Sequence, residues 1–188
     1  MYKVILQTIL SLGTSPIPSW KRLAEKNTSD STEFLNKFFY PLLGLTTLAT
    51  FVGILWNRKG FELEYALKSA SLTLMTLFAA FFLSSFVLNK LFVRFFKQAD
   101  NLQHTQHFVG YVLSFSYVIH MLMALLPALF FLKFGVLYIP YIIWVGSESF
   151  IQIEEKNRIR FMVITTAVLF ILPSVIEKVL LFLMPRLS

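Results

Sequence analysis

Five runs of apolar residues, separated by short clusters of charged and turn-forming residues, occupy most of the chain at about residues 38–56, 66–93, 107–131, 136–153 and 161–184. The first covers about 28 Å as an α-helix at about 1.5 Å per residue, close to the hydrocarbon thickness of a bilayer. The pattern predicts an all-α, polytopic membrane protein whose five transmembrane helices fill residues 31–188. Residues 1–30 read differently. Tyr2, Ile5, Leu6, Ile9 and Leu12 recur on one helical face, Pro16 and Pro18 end that helix, and Ser19 caps a second. In the second, Trp20 and Leu23 oppose Lys21, Arg22 and Lys26. These are expected to be N-terminal amphipathic interfacial helices, with Trp20 in the headgroup layer. Lys3 and the run Val4 to Leu12 imitate a signal peptide, but Gln7, Thr8 and Ser11 interrupt the run and no small-residue cleavage site follows.

The boundaries carry their own signals. Asp30 and Glu33 read as a capping box, and Pro41 predicts that residues 31–40 lie at an angle before the chain enters the bilayer. Asn57, Arg58, Lys59 and Gly60 close the first span. Lys133 and Gly135 predict a tight turn between the third and fourth spans, which form an antiparallel pair. Pro140, Gly146 and Ser147 make the fourth span the least regular, and Glu154 to Arg160 forms a short solvated loop.

Composition agrees with lipid as the solvent: 56% of the 188 residues are apolar, 14% are charged, and Phe alone supplies 21. A soluble globule of this size has too little interior to bury them. The net charge of +7 comes from clusters between apolar runs, a topology pattern that gives no nucleic-acid face. Lys3, Lys21, Arg22, Lys26, Lys37, Lys90, Arg94, Lys97, Lys156, Arg158 and Arg160 fall on one side, against Arg58, Lys59, Lys68, Lys133, Lys178 and Arg186 on the other. By the positive-inside rule the N-terminus is cytoplasmic and the C-terminus is not. A bacterial source would place the protein in the inner membrane. Lys90, Arg94 and Lys97 recur at i, i+4 and i+7 as snorkelling bases, a topology anchor or a lipid-recognition face.

Ionisable residues at membrane depth are the candidate chemistry, because a charge in hydrocarbon costs at least about 2.5 kcal/mol unless paired or wetted. Glu148 lies between Ser147 and Ser149, and depth matching brings Ser84, Ser85, Tyr111 and Ser114 to its level. The group is either a polar cavity open to the cytoplasm or a helix that ends early and leaves Glu148 in headgroups. His120, near the middle of the third span, is a proton relay, a ligand, or a neutral ring bonded to a neighbouring helix. Glu177 is expected to meet Thr46, Thr47 or Thr50, or to remain protonated, while Lys178 snorkels. His104 and His107 have i, i+3 spacing but lack a third zinc ligand, and cysteine is absent. Neither a metal nor a cofactor is expected. Phosphate loops, nucleophile elbows and His-Glu-x-x-His pairs are missing, so enzymatic activity is not indicated. Ala80 with Ser84, Gly110 with Ser114 and Ala124 with Ala128 read as close helix contacts.

The stretch Ser15-Pro16-Ile17-Pro18-Ser19-Trp20-Lys21-Arg22-Leu23, the segment Phe34-Leu35 to Tyr40-Pro41-Leu42-Leu43-Gly44, and Gly110-Tyr111 to Leu126-Pro127 resemble the Ypt-interacting-protein (Yip) domain family, especially its small bacterial members. The resemblance covers nearly the whole chain. It implies a five-helix bundle with a cytoplasmic N-terminus, and Tyr111 as a packing or hydrogen-bonding residue. Eukaryotic relatives are associated with Rab-type GTPases and membrane shaping, but their acidic motif before the first span has no counterpart here. The expected function is non-enzymatic: organising membrane or binding partners at the cytoplasmic face, with the lipid bilayer, protein partners or further copies as contacts. The alternative is a transporter or channel for a proton, ion, lipid or small solute through a polar cavity near Glu148 and His120.

Overall fold

The computed structural model describes residues 2–26, 31–57 and 63–183, so Asp30, Arg58, Lys59, Gly60 and Arg186 lie outside the described residues. The chain forms α1 (Tyr2–Thr14), α2 (Pro16–Lys26), α3 (Ser31–Phe34), a π turn (Leu35–Phe39), α4 (Tyr40–Asn57) and α5 (Leu63–Phe96). It continues as α6 (Leu102–Leu125), a 3-10 segment (Pro127–Tyr138), α7 (Ile139–Ser149), a short 3-10 turn (Glu155–Asn157) and α8 (Arg158–Leu183). Five of the resulting helical stretches are long and apolar enough to cross a membrane.

Pro41 explains the π turn. A proline cannot donate, and its ring crowds the carbonyl four residues earlier. The backbone widens just ahead of it, and the N–H of Tyr40 reaches back to the carbonyl of Leu35. Helical winding thus runs unbroken from Thr32 to Asn57, with the π turn at the place where the expected change of direction would fall. Phe34, Phe38 and Phe39 are buried, Phe39 stacking on Phe81 with centroids 3.8 Å apart. Further along α4, Gly53 lets the backbone press on α6: a Cβ there would sit 2.0 Å from the carbonyl oxygen of Ala124.

The connection between α5 and α6 is held by polar groups. Asn89, 2% exposed, donates to Asp100 at 2.6 Å and accepts from the Thr105 hydroxyl at 3.2 Å. Lys90 pairs with the other oxygen of Asp100 at 2.9 Å. Asn101 caps α6, its side chain accepting from the N–H of His104 at 3.0 Å. Deeper in the bundle the Tyr117 hydroxyl donates to the carbonyl of Leu77 at 2.8 Å. These two cross-links fix the antiparallel register of α5 and α6.

The third span ends earlier than the sequence pattern suggests. Proline pushes the residue before it out of the helical region, and Leu126, at φ −130° and ψ 80°, breaks the chain immediately before Pro127. A second departure follows at Leu129, with φ −85° and ψ 28°. The turn therefore falls at residues 126–129, and Lys133 and Gly135, expected to form it, lie within the fourth span. Gly135 faces Ile119 across the pair, where a Cβ would stand 3.1 Å from its Cδ1. Helix α7 ends at Ser149, short of the expected residue 153. There the N–H groups of Phe150 and Ile151 both return to the carbonyl of Gly146, and Gln152 takes a left-handed conformation at φ 60°. Helix α8 buries only Phe161, Thr165 and Leu169.

Candidate functional site

The two N-terminal helices form a hairpin that docks against the bundle. Ile5, Ile9 and Leu12 are buried, the opposite side of α1 exposes Lys3, Gln7 and Thr14, and the flanks expose Val4 on one edge and Leu6 with Leu10 on the other. Trp20, expected in the headgroup layer, is instead 0% exposed, inserted between α6 and α7. Its indole N–H donates to the carbonyl of Ile142 at 3.0 Å, its rings stack on Phe108 at 5.2 Å, and Phe150 meets them edge-on at 5.2 Å. Gly146 makes room: a Cβ there would lie 2.7 Å from Trp20 and 2.8 Å from Phe108. The sequence marks Gly146 only as an irregularity, and nothing local links it to a tryptophan so far away.

The tip of the hairpin reaches well along the bundle. A Cβ on Gly13 would stand 3.2 Å from the ring of Phe115, about midway along α6. The tip leaves few backbone donors to satisfy. Pro16 and Pro18 have none, the N–H of Ser15 returns to Ser11 at 2.8 Å, and that of Ser19 returns to Ser15 at 3.3 Å. The Ser11, Thr14 and Ser19 hydroxyls also donate to carbonyls three or four residues back.

Charges gather where the open end of this hairpin meets the α5–α6 and α7–α8 connections. Lys90 is paired with Asp100, Lys156 with Glu154, and Arg158 with Glu148 at 2.9 Å. Arg94 and Arg160 both approach the ring of Phe95, at 5.8 Å and 5.2 Å. Lys21, Arg22, Arg94, Lys97 and Arg160 make no ion pair among the described residues. Hydrogen bonds from Lys90 and then Asn89, with the Lys90 charge, hold the Asp100 carboxyl below the usual aspartate range. The Lys156 ammonium beside Glu154 lowers that carboxyl likewise.

The proposed polar membrane cluster is only partly brought together. The α5–α6 register sets Ser84 and Ser85 level with Gly110 and Val109, beside Tyr111 and within about one turn of Ser114. Their hydroxyls do not form a network: Ser85 donates to Phe81, Ser114 donates to Tyr111, and Ser84 has no partner among the described residues. Tyr111 is an aromatic hub, its ring 5.1 Å from both Phe34 and Phe38 and 6.1 Å from Trp20. Glu148 is exposed and bound to Arg158. His104 at this same end contacts the carbonyl of Phe150 at 3.1 Å, whereas His120 lies sixteen residues further along α6, roughly 24 Å at α-helical rise. His120 approaches the Thr50 hydroxyl at 3.5 Å, so it shares no chamber with Glu148. Thr46, Thr47 and Thr50 direct their hydroxyls to their own helix. No group of three potential ligands that could hold a metal occurs among the described residues.

Five apolar helical stretches, no strand among the described residues, and a helical hairpin docked at one end define a polytopic all-α membrane protein. Residues 9–176 match the Yip1 domain, and the chain belongs to that family. No curated protein and no solved structure matches it.

Proposed function

We propose that this Yip1-family member is a non-enzymatic organiser of the membrane, acting through the one-sided hairpin α1–α2. The hairpin adds two helices to the bundle at the basic end and none at the other. The observation that carries the proposal is the placement of Gly13 beside Phe115 while Leu6 and Leu10, on one flank of α1, remain uncovered by protein. Leu6 and Leu10, one turn apart on the exposed flank of α1, belong in acyl chains at that depth, and a tip in which Pro16 and Pro18 carry no N–H and those of Ser15 and Ser19 are bonded internally suits a turn with little water. The protein is then broader in one leaflet than in the other, and lipid must curve or thin to meet it. On the positive-inside rule the broad side is cytoplasmic. Lys21, Arg22, Arg94, Lys97 and Arg160 stand there ready for anionic headgroups or an acidic partner.

Fluorophores attached at Leu10→Cys and, as a water-exposed control, at Glu25→Cys test the reading in reconstituted vesicles. The label at position 10 should be blue-shifted and quenched by lipids brominated midway along their chains, and vesicles should become smaller as protein density rises. A water-accessible label at position 10, together with vesicle diameters indifferent to the protein, would sink the proposal.

A further inference from the structure

Away from the hairpin, the bundle opens into a cleft of about 900 Å³ between α5, α6, the 3-10 segment and α8. That is near the top of the roughly 300–1,000 Å³ range of ligand pockets. Its wall is mostly aliphatic and aromatic, with Lys133 and Glu177 as its two charged residues. The 3-10 winding builds one side of it. At three residues per turn, positions i and i+3 stand one above another, and Phe130, Lys133, Val136 and Ile139 all face the cleft. Phe134 and Leu137 form a second column beside the first.

Lys133 lies three residues beyond Phe130, where the segment resumes after the break at Leu129, and Glu177 lies six residues before Leu183. At about 2.0 and 1.5 Å per residue, both stand roughly 6–9 Å inside the end of the bundle remote from the basic face. Neither makes an ion pair among the described residues. Two unlike charges at the mouth of a long apolar slot match one kind of occupant. We infer that the cleft holds a glycerophospholipid with an ethanolamine phosphate headgroup. Its phosphate meets the Lys133 ammonium, its own ammonium donates to the Glu177 carboxylate, and an acyl chain follows the wall past Leu137 and Leu169. A choline headgroup offers the carboxylate no N–H donor, and a glycerol headgroup offers it no cation. Ethanolamine satisfies both partners.

Full-length protein in nanodiscs of mixed phosphatidylethanolamine, phosphatidylcholine and phosphatidylglycerol provides the test, each lipid carrying a photoreactive acyl chain in turn. Native mass spectrometry should find one retained ethanolamine lipid per chain, at least fivefold preferred over the other two, with cross-links concentrated in residues 113–117, 130–139 and 169–177. Lys133→Gln with Glu177→Gln should abolish the headgroup preference, and Ser174→Phe, at an exposed position of the wall, should displace the chain. Cross-links spread evenly around the bundle, retention blind to the headgroup, or cross-links through the cleft to a second copy would each overturn the assignment. The wild-type headgroup preference and cross-link map decide the matter even where a variant fails to fold.

Discussion

Replacing Trp20 with alanine removes the anchor of the hairpin. The side chain is fully buried, stacks on Phe108, meets Phe150 edge-on and donates to the carbonyl of Ile142. Truncating a buried Trp or Phe costs about 3–5 kcal/mol in well-packed interiors. The hydrogen bond contributes roughly 1 kcal/mol of that, and each aromatic pair about 0.5–1.5 kcal/mol. Because α1 and α2 pack on the bundle without being threaded through it, the loss falls on docking and leaves the five-span fold in place. At about 1.4 kcal/mol per tenfold, the docked-to-undocked ratio drops by roughly two to three and a half orders of magnitude. Hydrogen exchange of residues 5–14 and 19–25 in nanodiscs reads this directly, and should accelerate while α5 and α6 stay protected. Trp20→Phe, which keeps a ring but no donor, should fall between. Gly146→Ala should reproduce part of the effect by overfilling the same seat, at about 1–3 kcal/mol. Exchange in Trp20→Ala within twofold of the parent would refute the premise that this ring holds the hairpin.

Other substitutions test separate parts of the structure. Gly53→Leu should lower the thermal midpoint sharply, because a Cβ already meets the backbone oxygen of Ala124 and that atom cannot rotate away; an unchanged midpoint would contradict the α4–α6 packing. The depressed Asp100 value means that its folded-state contribution is present above the unfolded-state value of about 3.9 and fades as pH falls through the lower folded one. Lys90→Gln should therefore raise the Asp100 titration midpoint, measured by carboxyl NMR, and failure to raise it would remove the Lys90 pair as its cause. Glu148→Gln breaks an ion pair in which Glu148 is 61% exposed, so the stability change should stay within roughly 1 kcal/mol. A large loss in thermal denaturation would mean that Glu148 is buried in a polar chamber after all.

Lipid-length apolar runs bounded by bases made the five spans legible, and Pro16 with Pro18 marked the end of α1, although α2 begins at Pro16 and Ser19, expected to cap it, lies inside it with its hydroxyl on the Ser15 carbonyl. The position of the α6–α7 turn was hidden because the residues around it, from Leu125 to Phe131, are nearly all apolar and hydropathy cannot distinguish a turning chain from a continuing helix. Pro127 carried the missing signal through its effect on Leu126. Spacing put Lys90, Arg94 and Lys97 on one helix but could not show that Arg94 and Arg160 approach the same Phe95 ring. Depth matching set Ser84, Ser85, Tyr111 and Ser114 near one level, since helical rise is a local quantity. It could not pair Glu148 with Arg158, because that contact depends on α7 stopping at Ser149. Nor could any periodicity reveal the seat of Trp20, whose acceptor is a main-chain carbonyl with no side-chain signature.

That seat also imposes an order on biogenesis. The acceptor carbonyl lies 122 residues downstream of the indole, and ribosomes add about 5–20 residues per second. The newborn hairpin therefore waits roughly 6–24 s for its seat to be translated, and longer until α7 is inserted. Throughout that interval an apolar surface later covered by the bundle is open to chaperones and to the insertion machinery. Closure of the hairpin thus reports that the fourth span has arrived, so a segment synthesised well before that span is among the last to lock.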